Sequence, residues 1–269
     1  MGSEAINLTV DPLERRFGIV SKELAVCEQH GQYAAIISKH KEGPSGCPVC
    51  AEIRQREQDA ERLEQERAKN AADRLANKLG AALIPSRFRD RTFESYIATE
   101  PKQVKALTIC RDYAENFAEH FKAGRCLLLL GNVGTGKTHL ATAIANHIMR
   151  ATTATAVYRT VGGILQHIKG SYDRESDYSE ADAFAAYTKP SLLIIDEVGA
   201  TKPTEFELAS LFNIINARYE EQLPTVVISN LPAGELSGAL GERCVDRLRE
   251  GGGIAVGFDW KSARGRARA

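Results

Sequence analysis

The segment CLLLLGNVGTGKTH, residues 126–139, decides the fold. Its opening is an unbroken apolar run, as expected of a short strand buried on both faces of a parallel sheet. Gly131, Asn132, Val133, Gly134, Thr135, Gly136, Lys137 and Thr138 then fit G-x4-G-K-[ST], and His139 leads into a helical pattern. The three glycines let the backbone wrap closely, so that its amide groups point inward at phosphate oxygens. Lys137 is predicted to meet the β- and γ-phosphates of ATP, and the Thr138 hydroxyl to hold Mg²⁺. The helix opened by Lys137 adds the positive end of its dipole to the same place. Residues 131–139 are therefore the predicted nucleotide cradle.

Working outward, similar apolar runs recur at TAVY (155–158), LLIID (192–196), TVVIS (225–229) and IAVGF (254–258), with helical patterns between them. That alternation predicts an α/β fold of βαβ units, a parallel sheet flanked by helices. Residues 101–123 place Val104, Leu107, Phe117 and Phe121 on one helical stripe, ended by Gly124. In LLIIDE (192–197), Asp196 ends a buried strand, where its carboxylate can reach the Mg²⁺ shell, and Glu197 follows to polarise the attacking water. Paired acids can also merely cap a strand, but a phosphate loop upstream favours the chemical role. Asn230 ends TVVISN and is predicted to orient the same water; it also reads as a turn residue ahead of Pro232.

The 269 residues carry 35 Lys+Arg against 35 Asp+Glu, so bulk charge predicts neither a nucleic-acid nor a membrane partner, and any such contact must be local. No stretch approaches the roughly 18 apolar residues of a membrane span, and the N-terminus lacks a basic-then-apolar signal pattern, which together predict a cytoplasmic protein. Cys110, Cys126 and Cys244 are scattered and read as small apolar packing residues. Cys27, His30, Cys47 and Cys50 instead form C-x2-H and C-x2-C pairs. Zn²⁺ takes four tetrahedral N/S ligands, and a two-residue gap lets one turn present both members of a pair. His40 is a rival fourth ligand without the paired spacing. Residues up to about 50 hold too little apolar material to fold unaided, so a metal organiser is expected there. Residues 51–80, rich in Glu, Arg, Gln and Ala, read as a solvated spacer helix with Glu57–Glu61 and Arg62–Glu66 at turn spacing. The expected organisation is a small zinc-binding domain (1–55), a charged helical linker (56–84) and a main domain (85–269).

The phosphate loop, the acid pair and the strand-ending Asn, in that order, resemble the AAA+ ATPases. The run from IPSRFRDRTFESY (84–96) to FDWKSARGR (258–266) is similar more narrowly to the DnaC-type bacterial replicative helicase loaders, through GNVGTGKTHLATAIAN, TVGGILQHIKGSYD, LLIIDEVG, GERCVDRLRE and FDW. The resemblance covers roughly two thirds of the chain. The N-terminal third departs from the best-known loaders and is similar to zinc-bearing helicase-binding domains of some relatives. It implies ATP, Mg²⁺ and Zn²⁺ as ligands, a replicative helicase and single-stranded DNA as partners, and self-association.

In such assemblies an arginine from one subunit reaches the γ-phosphate bound by the next. The resemblance puts Arg247 first for that role and Arg243, one helical turn earlier, second, with the other arginine pairing with Asp246 or Glu250. It gives Arg264 the position of a nucleotide-sensing arginine within the subunit. Residues 170–190 form an insertion where loaders carry pore-lining structure; Tyr172 and Arg174 are the candidate DNA contacts, with Tyr178 behind them. Two other readings stay open: an IstB-type transposition helper ATPase, which shares this core, and an ATPase whose work is unrelated to DNA.

Overall fold

The computed structural model describes residues 6–263, and the chain divides into two units, Met1–Asp73 and Arg74–Ala269. In the first, α1 (Pro12–Arg16) starts at a reciprocal cap in which the Asp11 carboxylate accepts from the Glu14 amide. β1 (Ile19–Cys27) and β2 (Gly31–Ser38) pair antiparallel, closing with Cys27 opposite Gly31. This hairpin was not legible beforehand. β1 carries Lys22 and Glu23 side by side, which breaks the apolar alternation that marks a strand.

α2 (Pro48–Ala81) buries none of its residues, in keeping with a solvated spacer. It starts earlier than its composition suggests because Pro48, with its fixed φ and missing N–H, suits a first helical position. Arg62 pairs with Glu66 at 3.2 Å as the spacing predicts. Glu57 and Glu61 are like charges and offer no attraction at that spacing; Arg56 instead reaches Glu52 at 2.6 Å.

In the second unit, α3 (Pro101–Glu115) and α4 (Phe117–Lys122) precede β3 (Leu127–Gly131) and α5 (Lys137–Ala151). β4 (Ala156–Thr160), α6 (Val161–Gly170), α7 (Glu180–Thr188) and β5 (Leu192–Val198) follow, so two helices occupy the connection that holds the 170–190 insertion. α8 (Glu205–Glu220), β6 (Thr225–Ser229), α9 (Leu236–Leu240), α10 (Glu242–Arg249) and β7 (Ile254–Phe258) complete it. The five strands are parallel in the order β4-β5-β6-β3-β7, so the chain order reverses beside β3, the place where open α/β sheets bind ligands.

Because successive strand residues face opposite ways, each apolar run feeds two cores. Leu127, Leu129, Ile194, Val226 and Ile228 pack under α3 and α5. Leu128, Leu130, Leu193, Ile195 and Val227 pack under α6, α8 and α10. Each such side chain contributes about 1.5–3 kcal/mol on full burial. Cys110, Cys126 and Cys244 are buried in these cores, as expected.

The stripe expected over 101–123 is corrected. Two helices meet at Asn116, and Val104 and Phe121 are exposed while Ala106, Cys110, Tyr113 and Phe117 face inward. The break at Asn116 shifts the helical phase, so one stripe cannot span both. Arg218, which nothing in the sequence singles out, is fully buried. Its guanidinium donates to the carbonyls of Tyr187, Pro190 and Pro224, tying the end of α7 to the starts of β5 and β6. Desolvation lowers its pKa to about 10. Among the described residues no helix is long and apolar enough to cross a membrane.

Candidate functional site

β3 delivers the chain at the switch point into the loop 131–136, and two glycines there are required by geometry. Gly131 has φ +123°, and a Cβ on it would lie 2.5 Å from the Phe258 carbonyl. Gly136 has φ +97°, and its Cβ would meet the Tyr96 ring at 2.6 Å. Gly136 is also the N-cap of α5 and supplies no side-chain cap, which leaves the first-turn amides for an anion. The loop is braced from outside. The Asn132 amide donates to the Phe258 carbonyl at 2.7 Å, and its side-chain nitrogen to the Trp260 carbonyl at 3.3 Å. Tyr96 Oη and Trp260 Nε1 each donate to the Thr135 carbonyl at 3.1 Å.

Lys137 is buried, and its Nζ donates to the carbonyls of Gly131 (2.8 Å) and Asn132 (2.6 Å), which fixes a full positive charge at the mouth of the loop. The Thr138 hydroxyl donates to Asp196 Oδ2 at 2.8 Å, so the two predicted Mg²⁺ ligands, 58 positions apart in sequence, stand side by side. Tyr158, on the neighbouring strand β4, donates to the same oxygen at 2.7 Å. Burial, and then the adjacent Asp196, push its pKa up and keep it a donor. Sequence reading missed Tyr158, because a tyrosine in an apolar strand looks like a core residue.

Glu197 is set apart from Asp196 by the backbone. The register of β5 against β6 shifts between Ile195 and Val198, and Glu197 takes φ +61°, a conformation that side-chain-bearing residues seldom adopt. The bulge leaves Asp196 buried and Glu197 exposed. Strain of this kind gathers at functional sites, where the surrounding fold enforces it. Glu197, Asn230, Lys137, Thr138, Asp196 and Val133 all line one cleft of about 310 Å³.

Arg87 and Phe88 also line it and were not singled out from sequence; their signal was the 84–96 resemblance, which named a segment but no role. His139 lines the cleft too, yet its Nε2 lies 3.0 Å from the Thr92 carbonyl and 3.1 Å from Ser95 Oγ, so the ring also anchors the segment leading to α3. Burial lowers its pKa. Arg264 lies outside the described residues.

Both candidate trans-acting arginines lie on α10. Arg243 is exposed, and Arg247 is half-buried with its guanidinium carbon 5.1 Å from the ring centroids of both Phe212 and Tyr219. The expected pairing with Asp246 or Glu250 is made by neither arginine among the described residues; the neighbouring Glu250 instead raises the pKa of the Tyr219 hydroxyl. In the insertion, Tyr172 and Arg174 are exposed, and Tyr172 Oη donates to Glu180 at 2.7 Å. Tyr178 is withdrawn as a DNA candidate, since its ring packs 4.8 Å from that of His167 and its hydroxyl donates to the His167 carbonyl.

In the N-terminal unit, Cys27 and His30 flank the β1–β2 turn, and Cys47 and Cys50 bracket the first turn of α2. Their ligand atoms all lie within 4.8 Å of one another. Cys27 Sγ is 3.6 Å from His30 Nδ1 and 3.5 Å from Cys50 Sγ, and Cys50 Sγ is 3.2 Å from His30 Nδ1. Ligands about 2.0–2.3 Å from a tetrahedral Zn²⁺ stand roughly 3.3–3.8 Å apart, so the set is compatible with a zinc site. His40 is not among the four. Hydrogen bonds from the Gln29 amide and His30 bring the Cys27 thiol down to about 6, while Cys50, crowded by Cys27, rises to about 11.

Comparison with known proteins agrees with this geometry. The family model described as IstB-like ATP binding protein matches residues 55–248. The replicative helicase loader DnaC of Escherichia coli is 30% identical over 212 residues, covering 79% of this chain and 84% of that protein. The DnaC of Buchnera aphidicola (subspecies Schizaphis graminum) is 30% identical over 195 residues, covering 72% and 78%. A crystal structure of the DnaC helicase loader superposes with a TM-score of 0.59 over 65% of this chain and all of that one, at 21% identity. The chain belongs to the DnaC-type, IstB-like family of AAA+ ATP-binding proteins.

Proposed function

We propose that the chain is an ATP-dependent loader of a replicative DNA helicase in replication initiation, hydrolysing ATP at sites completed by a neighbouring copy. The observation that carries the ATPase reading is the meeting of Lys137, Thr138, Asp196, Glu197 and Asn230 in one cleft at the switch point of the sheet. The phosphates of ATP lie over the α5 N-terminus, and Lys137 exchanges loop carbonyls for phosphate oxygens. Thr138 and Asp196 would hold Mg²⁺, which neutralises charge on the β- and γ-oxygens when bound. Glu197 takes the proton of a water aimed by Asn230. The water oxygen bonds to the γ-phosphorus as the bridging bond to ADP breaks, and Arg247 of a neighbouring copy meets the charge that develops.

Tyr158 steadies Asp196 in this scheme. Removing its hydroxyl alone, in Tyr158→Phe, is expected to weaken Mg²⁺-dependent nucleotide binding about tenfold, the lower end for loss of a ligand's supporting hydrogen bond. Calorimetric titration of Mg²⁺ against the nucleotide-bound chain reads this, and an unchanged Mg²⁺ dependence would reduce Tyr158 to a packing role.

The helicase partner is carried over from the relatives named as helicase loaders. Cys27, His30 and Cys47 lie outside the matched family model, which begins at residue 55, as does Cys50, so the cluster belongs to an addition on the ATPase core. Bound Zn²⁺ would order this unit. It also exposes Phe17, Val20, Leu24 and Val26, with Leu24 and Val26 on one face of β1, the kind of apolar surface that takes a protein partner. Tyr172 offers a ring for stacking on single-stranded DNA and Arg174 a charge for its backbone.

Full-length protein is expected to carry one Zn²⁺ and to capture the replicative helicase. Cys47→Ser should lose the metal and weaken capture at least about tenfold while still binding ATP, as loss of a structural zinc ligand dictates. Equal capture by Cys47→Ser would assign the zinc unit to another partner. Binding to duplex DNA with a transposase instead of helicase would favour the IstB-type helper.

A further inference from the structure

Arg247 is held in an unusual way for an arginine near acids. Phe212 and Tyr219 are seven positions apart on α8, two helical turns, so both rings rise from one face of that helix. The Arg247 guanidinium carbon is 5.1 Å from each ring centroid, within cation–π reach of both. Its Nη1 is buried with no hydrogen-bond partner among the described residues. Among the described residues it makes no ion pair with Asp246 or Glu250. A cavity of about 290 Å³ opens beside this group, lined by Arg247, Tyr219, Gln222 and Glu250 among others.

The chemical consequence lies in the contrast between a ring and a carboxylate as a holder. A carboxylate would use the guanidinium's N–H groups and neutralise its charge, so phosphate oxygens would have to displace it. Aromatic faces leave both charge and N–H groups in place while restricting the long side chain.

We propose that Phe212 and Tyr219 form an aromatic clamp that positions Arg247 for the γ-phosphate of ATP bound to a neighbouring copy. The clamp rests on the reading of Arg247 as the trans-acting arginine. Phe212 and Tyr219 are positioning residues and touch no nucleotide.

The test uses full-length protein with helicase and single-stranded DNA present. Tyr219→Ala is expected to lower kcat about five- to tenfold, the rate equivalent of one cation–π contact, with KM and melting temperature held. Phe212→Leu, which keeps an apolar side chain but no ring, should do the same. Tyr219→Phe, which keeps the ring and loses only the hydroxyl, should recover most of the rate. Mixing Tyr219→Ala with Lys137→Ala should restore hydrolysis above either alone, because the Lys137→Ala chain brings an intact clamp to its neighbour's site. If Tyr219→Ala and Phe212→Leu melt with the parent and hydrolyse at its kcat, the clamp is overturned. A loss that mixing does not rescue overturns it too, since the defect would then act within its own chain. If Arg247→Ala itself hydrolyses at the parental rate, the trans-acting reading beneath the clamp has failed instead.

Discussion

A Glu197→Gln chain is expected to bind ATP as tightly as the parent and to hydrolyse it about 10²- to 10⁴-fold more slowly, the range for losing one general base. The amide matches the carboxylate in size and still reaches the water, but it cannot take a proton at neutral pH. Binding should survive because the groups proposed to hold nucleotide are separate from Glu197: Lys137 at the mouth of the loop for phosphate, and Thr138 with Asp196 for Mg²⁺. Lys137→Ala supplies the contrast, removing the buried ammonium and with it nucleotide binding. Trp260, the single tryptophan of the chain, offers the readout, since its Nε1 donates to the Thr135 carbonyl of the loop. Its fluorescence should respond to ATP in Glu197→Gln and stay flat in Lys137→Ala. Parental turnover by Glu197→Gln would move the water-activating role off this residue.

The contrast between Asp196 and Glu197 also shows what was legible in sequence and what was not. An apolar run before the glycine pattern, and a second before the acid pair, were enough to expect both strands and a parallel sheet. Which acid is buried and which exposed depends on the bulge after Ile195, and adjacent letters carry no sign of it. Tyr158 is hidden for a related reason: its hydroxyl matters only because β4 lies beside β5, a pairing set by sheet order. Arg218 is hidden because burial of a guanidinium depends on three carbonyls gathered from the end of α7 and the approaches to β5 and β6. The Cys/His pairs were visible by spacing, but the hairpin that carries Cys27 and His30 was not, since charged residues interrupt β1. Local spacing chemistry could be read; chemistry completed by tertiary neighbours could not.

Arg247→Ala should bind ATP normally and lose hydrolysis about 10³-fold or more in the assembled protein, as expected when a charge-neutralising arginine is removed. The same loss would follow if Arg247 acted within its own chain, so the rate alone does not locate it. Mixing does. Combined with Lys137→Ala, which cannot bind nucleotide but keeps Arg247, the Arg247→Ala chain supplies an intact loop while its neighbour supplies the arginine. In a random equimolar assembly with head-to-tail interfaces, about one interface in four has that productive order. Activity approaching a quarter of the parent's, from two nearly inactive chains, is therefore the expected reading. Arg243→Ala run in parallel separates the two candidates: it lies one turn earlier on α10, exposed at the surface. If Arg243→Ala is the inactive, rescuable variant and Arg247→Ala is active, the trans-acting role passes to Arg243, and the rings around Arg247 serve only to cover the core. Were neither mixture to regain activity, the site would be complete within one chain, and the dependence on a neighbouring copy would fall.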